Sequence, residues 1–119
     1  MSKTWVLIFS LVLAPVTGAL AVDCSFPKAP SKIPDGKTAS EPEMMEAMSA
    51  FKQYNGEVTA YTTCLEKETA DKVHEVGASP TMALQIKALQ SRKHNAAVDE
   101  LQEKAKVFNE QVRIFKARK

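Results

Sequence analysis

The sequence contains few of the residues from which catalytic and phosphate-binding sites are built. Its 119 residues include two histidines, four glycines and two cysteines. No serine lies in a GxSxG pattern, and no glycine-rich loop is present to bind a phosphate. The histidines, His74 and His94, lack the HxxxH or HExxH spacing of zinc sites. We therefore predict a protein that is not an enzyme, holds no cofactor or metal, and takes no small-molecule substrate.

Charge is nearly balanced over the whole chain but unevenly divided along it. There are 16 Lys and Arg against 14 Asp and Glu, so the total charge does not favour a nucleic-acid partner. Residues 22–75 have six lysines and ten acidic residues, whereas residues 76–119 have nine basic and four acidic residues. Two antiparallel segments of opposite charge attract each other modestly, and salt weakens that attraction.

The first 21 residues have the layout of a cleavable signal peptide. Lys3 gives a positive start, and the uncharged apolar run WVLIFSLVLAPV follows it. Ala19 and Ala21 supply small residues at positions −3 and −1 of a cleavage site. The run is shorter than the roughly 20 residues that a membrane-spanning helix needs, so a retained membrane anchor is the less favoured alternative. We predict cleavage after Ala21 and a periplasmic or secreted protein that begins at Val22.

Both cysteines lie in the part of the chain that is expected to be exported. In an oxidising compartment two cysteines most often form a disulfide, which here joins Cys24 to Cys64. The chain-entropy model gives about 4 kcal/mol of stabilisation for a loop of this length. Two free thiols, or a bridge between two chains, are the alternatives.

Residues 22–39 are predicted to form an extended arm. The stretch from Cys24, CSFPKAPSKIPDGKTA, contains three prolines, which fix φ and remove backbone donors. Its Pro-Asp-Gly sequence at 34–36 is a turn signal. Phe26 and Ile33 are the apolar anchors expected to hold the arm against the rest of the protein.

The remainder of the chain favours two long helices. Ser40 and Glu43 fit a capping box at the start of the first. Apolar residues then recur at steps of three and four, at Ala47, Phe51, Tyr54, Val58, Tyr61 and Leu65. Gly77-Ala78-Ser79-Pro80 supplies a C-terminal cap and a new helix start. The prediction is an all-α fold, a long antiparallel, coiled-coil-like helical hairpin with helices at about 41–76 and 80–117, and an N-terminal arm stapled to it by the disulfide.

Two clusters suggest binding roles beyond the fold. Met44, Met45 and Met48 could offer thioethers to Cu(I), although packing in the core is the favoured use for methionines at the start of an apolar stripe. Four basic residues at the C-terminus could contact anionic lipid or lipopolysaccharide; they are Arg113, Lys116, Arg118 and Lys119.

Part of the chain resembles a known family. Cys24, Pro27, the IPDG run at 33–36 and the YxxCL sequence that ends at Leu65 resemble small exported proteins of Gram-negative proteobacteria. The resemblance covers about a third of the chain. It implies a periplasmic or otherwise exported setting and no particular activity. We expect a protein-binding or structural component of the envelope, with a protein partner or self-association through the apolar stripe at 44–65, and a lipid-surface binder as the alternative.

Overall fold

The described part of the protein is an antiparallel pair of helices. The computed structural model describes residues 24–75, 77 and 79–118, and the predicted signal peptide lies outside them. Helix α1 spans Glu41–Glu75 and helix α2 spans Pro80–Lys116, with no strand in the described ranges. Phe51 stacks on Phe108, and Glu68 approaches Lys93, so the two helices run in opposite directions. The predicted helical hairpin is confirmed.

Local side-chain chemistry explains where the helices begin and end. The Ser40 backbone N–H donates to Glu43 Oε2 at 2.6 Å, and the Glu43 N–H donates to Ser40 Oγ at 3.3 Å. This reciprocal pair is a capping box, and its hydrogen bonds to the carboxylate lower the pKa of Glu43. Gly77, with φ of 52°, follows α1 in the left-handed conformation. Ser79 Oγ then accepts the Met82 N–H at 3.3 Å and caps α2.

The buried core occupies only one end of the hairpin. The seven buried residues of α1 are Met44, Ala47, Phe51, Tyr54, Val58, Tyr61 and Leu65. Helix α2 contributes two, Ala97 and Phe108, and the rings of Phe51 and Phe108 stack with centroids 4.5 Å apart. We call residues 24–65 and 97–118 the proximal half. The described residues between them, 66–75, 77 and 79–96, form the distal hairpin, and none of these is buried.

The methionines do not all join the core. Met44 is buried, but 62% of Met45 and 55% of Met48 are exposed. The expectation of core packing was therefore wrong for the last two. Met45 follows the buried Met44 and Met48 follows the buried Ala47 by one residue. Successive helical residues are rotated by about 100°, so both side chains point away from the buried stripe.

Candidate functional site

The arm lies in the groove between the two helices on one face of the proximal half. Near its start, residues 25–28 face Tyr61 and Cys64 of α1. Further along, Ile33 and Pro34 lie beside Val107 and Gln111 of α2. The arm therefore runs antiparallel to α1, and it supplies the third element that a two-helix seam needs to bury a core.

A disulfide fixes the first end of the arm. Cys24 and Cys64 are bonded, with their Cα atoms 5.8 Å apart, which confirms the predicted pairing. Next to it, Phe26 meets Tyr61 edge to face at a centroid distance of 5.4 Å. Phe26 remains 49% exposed while Tyr61 is buried, and burial raises the pKa of the Tyr61 hydroxyl.

A close backbone contact fixes the second end. Gly36 is buried against α2, where its N–H donates to Gln111 Oε1 at 2.8 Å. A Cβ atom on residue 36 would lie 2.1 Å from the Gln111 backbone oxygen. No other residue type fits at this distance, so the turn that the Pro-Asp-Gly sequence predicted is also a docking contact. Its φ is not positive, so space and not backbone conformation requires the glycine.

The basic end of α2 contributes to this docking. The Arg118 guanidinium donates to the carbonyl oxygens of Gly36 and Ala39, at 3.2 and 2.9 Å, and lies over the Phe115 ring. Arg113 forms a bidentate ion pair with the Glu110 carboxylate, and this pair raises the pKa of Arg113. Two of the four predicted lipid-binding residues thus have partners within the chain.

The other two predicted lipid-binding residues differ from these. Lys116 is exposed at the end of α2, and Lys119 lies outside the described residues. Lys116 is therefore the described residue best placed to test the prediction of a lipid contact. That prediction itself stays open.

The described arm starts at Cys24, beside the junction with the distal hairpin. Beyond this point, no described residue of the arm covers the groove between the helices. Along α2, the residues at 104, 107, 111 and 114 face the arm, and the same helical spacing leads back through Lys93, Leu89, Ile86 and Met82. Here 44% of Leu89 and 43% of Met82 are exposed. A small cavity of about 50 Å³ lies between α1 and the part of α2 that contains Ile86, Leu89 and Lys93. Its apolar lining comes from Leu65, Ile86 and Leu89.

Glu68 marks the junction between the covered and uncovered groove. Its carboxylate lines the cavity, is bonded to Lys72, and lies 3.9 Å from Lys93 Nζ. The bond from Lys72 and a further bond from the Cys24 backbone N–H lower the pKa of Glu68. Because the same side chain contacts the start of the arm and the cavity, the cavity continues the groove that the arm fills.

Sequence patterns alone did not reveal this surface. The spacing of Met82, Ile86 and Leu89 indicates an apolar stripe on the second helix, and such a stripe is normally taken to be covered by its neighbour. Conversely, the stripe at 44–65, expected to bind a partner, is buried by α2 and the arm. The polar character of α1 after Leu65 was the available signal that the distal seam has little apolar surface on the α1 side.

Neither histidine belongs to a recognisable site. His74 is exposed, and His94 Nδ1 lies 3.4 Å from the side-chain oxygen of Asn95. In the described ranges, no three His, Cys, Asp or Glu side chains are arranged to hold a metal ion. Neither described helix combines the length and hydropathy that crossing a membrane would require.

Comparison with known families, curated proteins and solved structures finds no match to this chain. The resemblance carried by the CxxP, IPDG and YxxCL sequences therefore remains a prediction. What the structure defines is a class of architecture: a helical hairpin with a disulfide-linked arm that closes one half of its groove.

Proposed function

We propose that this protein is an exported helical component of the cell envelope that binds another protein through its distal hairpin. The observation that carries the proposal is the apolar row Met82, Ile86 and Leu89, which continues the groove occupied by the arm. Met82 and Leu89 are exposed and Ile86 is half-buried. Apolar side chains aligned on one helix face are a common docking surface for a partner helix.

Two features support an exported setting. Disulfides persist in oxidising compartments, and the described chain contains one that fixes its fold. Residues 1–21 have the sequence of a signal peptide, although they lie outside the described residues. Intact mass of the protein recovered from its host tests both, because export predicts loss of residues 1–21 and an oxidised cysteine pair.

Crosslinking inside the host tests the binding proposal directly. A photoreactive phenylalanine analogue at Leu89 should give covalent adducts of higher mass with protein. The same analogue at Thr63, which is exposed on the proximal part of α1, is the matched control and should give none. If both positions stay free of adducts, or react equally, the distal hairpin is not a protein-binding surface.

Binding to lipid or lipopolysaccharide through the C-terminal basic residues is the second candidate, with weaker support. Arg113 and Arg118 already have intramolecular partners. Deleting residues 113–119 would also weaken the docking of the arm, because it removes the hydrogen bonds from Arg118 to Gly36 and Ala39. Lys116→Gln is the cleaner variant. Lipid binding predicts weaker cosedimentation of this variant with anionic vesicles, and binding that is unchanged by the substitution and by salt contradicts it.

A further inference from the structure

We propose that a second copy of this chain occupies the groove between the two helices of the distal hairpin, which we call the distal groove. The α1 helix of the second copy packs over α2 of the first, and both hairpins point the same way. This inference deepens the proposed function and rests on it. Its starting point is the difference in burial between the proximal half and the distal hairpin of one molecule. The proximal half buries nine helical residues with the arm as third element. Within the described part of the chain, the distal hairpin has neither a third element nor a buried residue.

The apolar row has the dimensions of a helix-packing seam. Met82, Ile86 and Leu89 are separated by four and three residues, so they form one line along α2. A line of this kind packs into the groove of another helix pair and gives a four-helix bundle. The arm occupies the same face in the proximal half. A second copy can therefore pack on this face only along the distal hairpin, where it covers the apolar row. In the dimer, the two arms keep the proximal halves apart.

Charge favours a second copy as the occupant. Residues 66–75 of α1 contain four acidic residues and two lysines, whereas residues 80–96 of α2 contain three basic residues and no acid. An anionic lipid surface would be repelled by the first of these segments. In a pair of copies, the acidic segment of each α1 can face the basic segment of the other copy's α2.

Charge also selects the orientation. A two-fold axis along the length of the hairpins places α1 of each copy over α2 of the other. Because Glu68 is 3.9 Å from Lys93, these acidic and basic segments lie at the same height. A two-fold axis across the hairpins would instead place α1 on α1 and α2 on α2, with like charges together. Both arrangements are closed and symmetric, but only the first places opposite charges together, and each α1–α2 contact then occurs twice.

The test is the oligomeric state of the oxidised protein, measured by sedimentation from micromolar to millimolar concentration. We expect a monomer–dimer equilibrium that shifts toward monomer in high salt and in Leu89→Glu. Leu84→Glu is the matched control. Leu84 is 68% exposed on a different face of α2, so this variant should dimerise like the parent protein. A parent protein that stays monomeric over the whole range overturns the inference, as does a dimer in which Leu89→Glu and Leu84→Glu behave alike.

Disulfide crosslinking between two different variants tests the orientation. Thr69 of α1 and Leu89 of α2 line the same cavity and so lie at the same height. With α1 of each copy over α2 of the other, a mixture of Thr69→Cys and Leu89→Cys proteins should give a covalent dimer that contains one of each under mild oxidation. Leu84→Cys mixed with Thr69→Cys should give none. An antiparallel pair would place Leu89 against α2 of the other copy, so the absence of the mixed dimer in a protein that dimerises would overturn the arrangement.

The two proposals can fail separately. A monomeric protein whose Leu89 photoadducts in the host all contain a different protein would refute the second copy and leave the binding function standing. A monomeric protein without any specific adduct at Leu89 would refute both.

Discussion

Gly36→Ala tests the docking of the arm most sharply. The new Cβ would lie 2.1 Å from the Gln111 backbone oxygen, and the neighbouring atoms at 3.0 and 3.1 Å are also backbone of α2. Backbone inside a long helix cannot yield as a flexible side chain can. The turn must therefore withdraw from α2 or force the helix end to move.

The hydrogen bonds that break when the turn withdraws set the magnitude. The Gly36 N–H gives up its bond to Gln111, and Arg118 gives up its two bonds to the arm carbonyls. At about 1 kcal/mol net per hydrogen bond, these amount to about 3 kcal/mol. Overpacking in well-packed sites costs about 1–3 kcal/mol, which is the same range. We expect Gly36→Ala to lower the free energy of unfolding by about 2–3 kcal/mol.

Gly56→Ala is the matched control for this substitution. Gly56 lies inside α1, and a Cβ there would have no neighbour within 4 Å. Because alanine favours helix over glycine, this change should stabilise the protein by about 1 kcal/mol. Urea unfolding of the oxidised protein, followed by far-UV circular dichroism, measures both. Equal effects of the same sign at the two glycines would refute the docked turn.

Three further predictions concern the staple, the core and pH. Replacing Cys24 and Cys64 together by serine should lower the free energy of unfolding by up to about 4 kcal/mol, and an unchanged urea midpoint would contradict a role for the bridge. Phe108→Ala removes the ring stacked on α1 and should cost about 3–5 kcal/mol, whereas Leu84→Ala, at an exposed position, should cost little. The bond from Lys72 lowers the pKa of Glu68, so its stabilising contribution is present above its unfolded pKa of about 4.5 and is lost as pH falls below it. Glu68→Gln should therefore show a shallower loss of stability below about pH 4.5 in acid titrations of the unfolding midpoint.

The helices could be predicted because their signals are local. Ser40 with Glu43, and Gly77 followed by Ser79, determine helix ends through atoms within three residues of one another. The disulfide was predictable for a different reason: two cysteines permit one intramolecular pair. These features need no knowledge of how distant segments meet.

Docking of the arm could not be predicted in the same way. Gly36 and Gln111 are 75 residues apart, and their contact depends on how α2 aligns beside α1. Pro34-Asp35-Gly36 predicted a turn without identifying the surface that the turn meets. Arg118 is a possible lipid contact in the sequence for a similar reason, since composition records its charge but not its acceptors at Gly36 and Ala39.

The distal groove shows the limit of periodicity as a guide. The spacing of Met82, Ile86 and Leu89 is as regular as that of the buried stripe in α1. Regular spacing shows which residues share a face, but the coverage of that face depends on the partner side chains opposite. On α1 these are Thr69 and Lys72, which are polar.

Hydrogen exchange of dilute, oxidised protein measures the difference between the two halves most directly. A helix that lacks buried contacts opens at lower free energy than one with a core. The amides of residues 41–65 and 97–116 should therefore remain protected long after those of residues 66–75 and 80–96 have exchanged. Equal protection along both helices in the monomer would show that the distal hairpin has a core of its own, and would contradict the open groove.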